Sequence, residues 1–246
     1  MKKKNSKQLL YSDKYENNFF VEKYAALWAY GYLNSFGKSE GLYRMINELG
    51  FSFFDKNIKH NILDIGCGVG RTSADYAIYF RNSNVRGIDS ANLMINMACK
   101  INKSQKKIIF DMGRLGFGKI SIKSQNINNL IYEEIMLKDF LNKSPGNSFD
   151  IITAVNFIDR VTDVKNHFKM IFNLLRNGGV FIFTSPLNFS NSKDWVNYGT
   201  FESILKLAKS TGFRVDIAFD GFIYEEILDA RGAVEEYSTV VMRLIK

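Results

Sequence analysis

From residue 61 onward, apolar runs of strand length alternate with helical patterns, and the first run empties into a glycine-rich turn. The segment reads Leu63-Asp64-Ile65-Gly66-Cys67-Gly68-Val69-Gly70-Arg71. Alternation of this kind specifies a parallel sheet with helices on its faces. Strands are expected at 62–65, 85–89, 131–137, 149–155 and 180–184. Helices are expected at about 72–80, 92–100 and 164–175, the last stopped by Gly178-Gly179, and at 201–210 before Gly212. Two closing strands, 213–219 and 239–245, complete an α/β, Rossmann-like sheet of seven mostly parallel strands with a terminal antiparallel hairpin.

Two regions fall outside that rhythm. The connection between the second and third strands, residues 90–130, is longer than a compact crossover needs. An insertion is therefore placed at 103–130, where Gly113, Gly116 and Gly118 suggest a small hairpin or loop. Residues 1–58 hold 13 of the 35 aromatic residues. Phe20, Tyr24, Trp28 and Tyr32 recur every four residues, on one side of a helix. This part reads as a helical cap on a domain spanning 59–246.

Charge and cysteine content narrow the class. The net charge of +8 is concentrated in residues 100–130, which carry seven basic residues and one acidic. Such a patch could meet an anion, although a charge run without a nucleic-acid motif reads first as a solvated face. Cys67 and Cys99 cannot build a disulfide framework, so a reducing cytoplasm is the expected setting. His60 and His167 are the only histidines, and no metal site is expected. No apolar run reaches the length of a signal core or a membrane span.

A strand that delivers the chain to a glycine turn, followed by a helix N-terminus, makes a ligand cradle. The spacing is G-x-G-x-G, and Arg71 stands where the dinucleotide fingerprint requires its third glycine. Asp64, just before the turn, would repel a pyrophosphate but can receive an amino group. Asp89 ends the second strand, 19 residues after Gly70, where a carboxylate can accept both hydroxyls of a ribose; Ser90 follows it. Asp139 and Phe140 are read at the end of the third strand. Asn156 and Asp159 are read at the end of the fourth. Open α/β sheets bind ligands at such carboxyl ends.

Together, LDIGCGVG, GID, KDF, SFDIITAVNFID and LLRNGG make the chain resemble the class I S-adenosylmethionine-dependent methyltransferases. The resemblance covers residues 61–184, and the closing hairpin extends it to 246. It implies S-adenosyl-L-methionine as cofactor. Asp64, Gly66, Cys67, Gly68 and Gly70 would then surround the methionine part. Asp89 and Ser90 would hold the ribose, Asp139 and Phe140 the adenine, and Asn156 would line the cofactor.

A narrower resemblance, to carnosine N-methyltransferase-type enzymes, rests on Asn156-Phe157-Ile158-Asp159 and Thr184-Ser185-Pro186-Leu187-Asn188-Phe189. Ser185 replaces a glycine of that pattern, and Asn188-Phe189 replaces an aromatic–histidine pair. What carries over is a small, amine-bearing substrate. Asp159 is the expected holder or base for that amine. Tyr24, Trp28 and Tyr32 are expected as a lid, with Asn188, Trp195 and Tyr198 lining the substrate side. The fourth strand lacks the N-P-P-Y type motif of enzymes that methylate a flipped base, which argues against nucleic acid as partner. A nucleic-acid or protein methyltransferase, and a non-catalytic cofactor-binding subunit, are the alternatives.

Overall fold

The computed structural model describes residues 15–18, 20–25, 40–104, 106–111, 118–122, 124, 126–227 and 233–246. Its main sheet has seven strands in the order β5-β2-β1-β6-β7-β9-β8. These are β1 (Asn61–Ile65), β2 (Asn84–Asp89), β5 (Leu130–Glu134), β6 (Phe149–Val155), β7 (Leu175–Ser185), β8 (Arg214–Ile227) and β9 (Val234–Ile245). The first five run parallel, while β9 pairs antiparallel with both β7 and β8. Helices α1 (Glu40–Phe51), α2 (Arg71–Tyr79), α3 (Asn92–Lys103), α4 (Leu137–Lys143), α5 (Val164–Leu174), α6 (Ser192–Tyr198) and α7 (Phe201–Thr211) complete the architecture.

The inner strands are nearly unbroken apolar runs because helices cover both faces. Successive side chains therefore enter different cores. Ile62, Ile151 and Ile182 join Tyr76, Phe80 and Met94 on one face. Leu63, Ile152, Phe181 and Phe183 join Phe168, Ile204 and Phe213 on the other. There Phe168 meets Phe181, Phe183 and Phe213 edge-on, an arrangement that aromatic quadrupoles favour. Helix α1 shares the first core through Leu42 and Ile46. Its Phe51 stacks on Tyr79 at 3.9 Å, and the Tyr76 hydroxyl donates to Ile46 O at 3.0 Å.

The insertion is a hairpin, β3 (Ile108–Asp111) with β4 (Lys119–Ile122). Ile108, Phe110 and Ile122 point into the core, while Ile109 is exposed. Lys100, Lys103, Lys106, Lys107 and Lys119 are exposed, and none forms an ion pair among the described residues. Asn102, at the end of α3, exchanges hydrogen bonds with Ile127, which leads into the start of β5. The root of the basic hairpin thus lies at the amino ends of the parallel strands, away from the glycine turn.

Three expectations change. The third strand ends at Glu134, paired with Asp89, and 137–143 form α4. Leu137 and Phe140 stand three apart, and both are buried on one side of that helix. Helix α5 stops at Leu174, so Gly178-Gly179 do not end it. They lie inside β7, where Gly178 N donates to Lys246 O and Lys246 N to Gly179 O. Finally, the closing hairpin is much longer than 213–219 with 239–245. Beyond Val240, which pairs with Ser185, β9 leaves β7 behind and continues with β8 alone. This two-stranded arm passes the carboxyl ends of the sheet, where the candidate site lies. Among the described residues, no helix is long and apolar enough to cross a membrane.

Candidate cofactor and acceptor site

The site begins where β1 ends. Gly66 has φ of 66°, and a Cβ there would stand 2.6 Å from the ring of Phe157, so only glycine lets the end of β6 pack on the turn. Gly68 also has positive φ, 54°, but nothing lies within 4 Å of its missing Cβ. The loop is tight below and open above. It closes through Cys67 N to Ile88 O and Gly70 N to Cys67 O, and α2 starts at Arg71.

Asp64 lies under the turn, 2% exposed. Its Oδ2 accepts from Ser73 Oγ at 2.6 Å and its Oδ1 from Thr153 Oγ1 at 2.8 Å. Burial lifts its pKa from 3.8 to about 6, against the pull of the two hydroxyl donors. Asp89, at the tip of β2, accepts from Gly68 N and from Ala91 N, both at 2.9 Å. Burial raises this carboxyl too, and its amide donors lower it. Each oxygen keeps a lone pair for a further donor. Ser90 is exposed beside it. Burial pushes the Cys67 thiol well above its ordinary range, so it is no nucleophile.

Asp139 and Phe140 are not at a strand end. Asp139 is exposed in the first turn of α4, and Phe140 is 1% exposed in the core beside Phe149. The residues that do follow β5 at the crevice are Ile135 and Met136, and Ile135 N donates to Asp89 O. Asp159 is also placed differently from a base facing an amine. It is fully buried, with Oδ1 accepting from Ser185 Oγ at 3.0 Å and Oδ2 facing Arg160 Nε at 3.3 Å. Burial raises its pKa and Arg160 opposes the rise. The carboxylate holds together the loops after β6 and β7.

Asn156 is the hub of the β6 end. It sits at φ 50°, with its amide nitrogen donating to Thr184 O and its side-chain Nδ2 donating to the Tyr224 hydroxyl at 2.6 Å. Tyr224 comes from the projecting arm and stacks on Tyr237 at 5.2 Å. Burial raises the hydroxyls of Tyr24, Tyr43, Tyr224 and Tyr237, with Tyr43 reaching about 12. The charge of Glu226 adds to the rise of all four. Lys23 pairs with Glu226 at 3.8 Å.

The amino-terminal segment reaches the same crevice. Glu16 Oε1 accepts from Asn92 N at 2.7 Å. It thereby caps α3, whose own N-cap residue, Ala91, has no side-chain acceptor. Arg71 locks the other rim, donating to Glu40 and Asp75 at 2.9 and 3.0 Å with its guanidinium over the Tyr43 ring.

Of the expected lid residues, Tyr24 stands beside Tyr15 and Lys23, whereas Trp28 and Tyr32 lie outside the described residues. Asn188 and Trp195 are exposed, and Tyr198 packs partly on the second core. They belong to the α6 side, which Asp194 ties to the backbone of Asp163. His167 bonds its own helix start and is lowered by burial. Sequence reasoning missed Glu16, Lys23, Tyr43, Arg71, Tyr224, Glu226 and Tyr237. The β-branched and aromatic residues Phe222, Ile223, Tyr224 and Ile227 were the signal that the arm continued as strand.

Comparison with known proteins agrees with this geometry. A family model described as "Methyltransferase domain" matches residues 25–216. Sterol 24-C-methyltransferase erg6 of Aspergillus fumigatus is 27% identical over 124 residues, which is 49% of this chain and only 26% of that protein. The fold of magnesium protoporphyrin IX methyltransferase from Synechocystis PCC 6803, solved with bound SAM, superposes with a TM-score of 0.61 at 14% identity, covering 96% of this chain and 94% of that one. A structure titled as a putative S-adenosylmethionine-dependent methyltransferase from Listeria monocytogenes gives 0.56 at 13% identity, covering 82% and 99%. A turn open above Gly68, a carboxylate at the neighbouring strand tip and a family match across most of the chain converge: the protein belongs to the methyltransferase-domain family.

Proposed function

We propose that the chain methylates a nitrogen atom of a small, amine-bearing molecule. The observation that carries the cofactor side is Asp89, held on the Gly68 amide beneath open space. S-Adenosylmethionine fits there: Asp89 would take the ribose hydroxyls, the turn 66–70 would admit the methionine part, and Ile135 and Met136 would border the adenine. When bound, it supplies a sulfonium methyl group that is already electrophilic. The protein's work is then largely placement and exclusion of water.

The acceptor side supports an amine. Glu226 lies two residues from Tyr224 on β8, and its charge acts on four tyrosines; aromatic faces with a nearby negative charge suit a cation. A nitrogen acceptor would have to be neutral there, with its lone pair free to react. Glu226, linked to Lys23, holds the amine and can take the proton that the product nitrogen releases. Asp159 does not serve as that base because it is sealed from the crevice.

The basic hairpin does not favour a nucleic acid or protein acceptor. It is rooted at the opposite end of the sheet from Gly68, so a polyanion bound there would not be delivered to the crevice. The test is to incubate the full-length chain with isotopically labelled S-adenosylmethionine and a cell extract, then separate small molecules from macromolecules. Label in basic small molecules is expected. Label confined to RNA, DNA or protein would refute the reading.

A further inference from the structure

The polarity of one buried hydrogen-bond chain narrows the acceptor further, and this inference rests on the methyltransfer reading above. Thr184 Oγ1 lies 3.3 Å from Asn156 N and 3.1 Å from Asn156 Oδ1. A backbone N–H can only donate, so the threonine oxygen accepts there and its own proton goes to Asn156 Oδ1. This orients the amide, with its Nδ2 toward the Tyr224 hydroxyl at 2.6 Å. An amide nitrogen offers no lone pair, so the phenol oxygen must accept. Its proton therefore points away from Asn156.

That proton has no acceptor among the described residues. Tyr224 is nevertheless 4% exposed, and buried donors are almost always paired. Nor can the chain easily reverse. Asn156 is pinned at φ 50° by two further bonds to Thr184, and the Tyr224 ring is stacked on Tyr237. The donor is built, oriented and unsatisfied among the described residues, next to the turn onto which Phe157 packs.

We propose that Tyr224 is a substrate-binding residue whose hydroxyl donates to a carbonyl or carboxylate oxygen of the methyl acceptor. The nucleophilic nitrogen is not its partner, because a donor on that lone pair would compete with bond formation. The acceptor class is thus an amine carrying such an oxygen a few bonds from the nitrogen, held at two points. Glu226 and the tyrosine faces receive the amine, and Tyr224 receives the oxygen. Thr184 and Asn156 are positioning residues that keep the Tyr224 proton aimed at the substrate.

The test uses the full-length chain and its Tyr224→Phe and Asn156→Asp variants. Calorimetry measures S-adenosylmethionine affinity. Transfer from labelled donor is then measured on a panel of amino acids, their amides and the matching simple amines. Transfer is expected to amino acids or amides and not to the simple amines, and which of the two is accepted separates carboxylate from carbonyl. Tyr224→Phe should raise KM at least tenfold, leave kcat within threefold and leave donor affinity within twofold. Asn156→Asp should raise KM likewise, because a carboxylate facing the phenol draws its proton inward.

Unchanged KM in Tyr224→Phe, equal use of amines without oxygen, or no transfer to any panel member while the donor binds would overturn the proposal. So would a tenfold loss of donor affinity in Tyr224→Phe, which would put the hydroxyl on the cofactor. Failure of the wild-type chain to bind the donor would instead bring down the underlying reading.

Discussion

Asp64 offers the sharpest quantitative test of the site's electrostatics. Its carboxyl is 2% exposed, beneath the glycine turn, and has a pKa of about 6 where the ordinary value is 3.8. That difference of about 2 units corresponds to about 3 kcal/mol at 1.36 kcal/mol per unit. The sign follows from proton uptake. Between pH 3.8 and 6 the folded chain keeps a proton that the unfolded chain has released, so stability falls as pH rises. The contribution is complete below the unfolded value and lost above about 6.

Asp64→Asn removes this dependence while keeping the shape. The amide oxygen can still accept one hydroxyl, and its nitrogen can donate to the other, since Ser73 and Thr153 can both turn. The stability of the variant relative to wild type should therefore climb by about 2.5 kcal/mol between pH 4 and pH 7.5. At about 2–4 °C per kcal/mol for a chain of this size, the difference in Tm should grow by about 5–10 °C. Asp75, Asp89 and Asp159, also raised by burial, are common to both proteins and cancel in the difference. Paired melting curves across this range provide the assay. A Tm offset that stays constant with pH would show that Asp64 does not hold its proton in the fold, and the account of the buried carboxyl would fail.

Other substitutions probe the remaining parts. Asp89→Ala should weaken S-adenosylmethionine binding at least tenfold, about 1.4 kcal/mol, and unchanged calorimetric affinity would remove the ribose assignment. Gly66→Ala places a Cβ 2.6 Å from Phe157 at φ 66°, so it should lower stability by about 2–4 kcal/mol from backbone strain plus overpacking. Chemical denaturation would read that loss directly, and a loss below about 1 kcal/mol would mean that Phe157 yields freely. Deleting residues 1–32, which removes Glu16 from α3 and Lys23 from Glu226, should abolish turnover but leave donor binding measurable. Full-rate methylation by the truncated chain would show that this segment is no lid.

The pattern of strands and the glycine turn was legible because its causes are local. Apolar runs, a three-glycine spacing and a strand-tip aspartate each follow from neighbouring residues. Asp139 and Phe140 were misplaced because a short amphipathic helix directly after a strand can be read as more strand. The three-residue spacing of Leu137 and Phe140 was the competing signal. Asp159 resembled an exposed end-of-strand carboxylate, yet Ser185, 26 positions later, encloses it. The cluster around Tyr224 was the least legible. Tyr224 and Tyr237 meet only through the register of the long arm, and Asn156 meets Tyr224 across 68 residues. Long-range register has no local cause to read.

Because β9 is seated between β7 and β8, the assembly order of the sheet is constrained. As the nascent chain emerges, β8 has no strand to join until β9 has been made. Only then can the outermost strand attach and carry Tyr224 toward Asn156. The parallel core can therefore gather before the chain is complete, whereas the contact between Tyr224 and Asn156, 68 residues apart, forms last. A ribosome-stalled chain ending before residue 234 would show both sides of this gap: a protected β1–β2 region, and a β7 edge open to unwanted pairing.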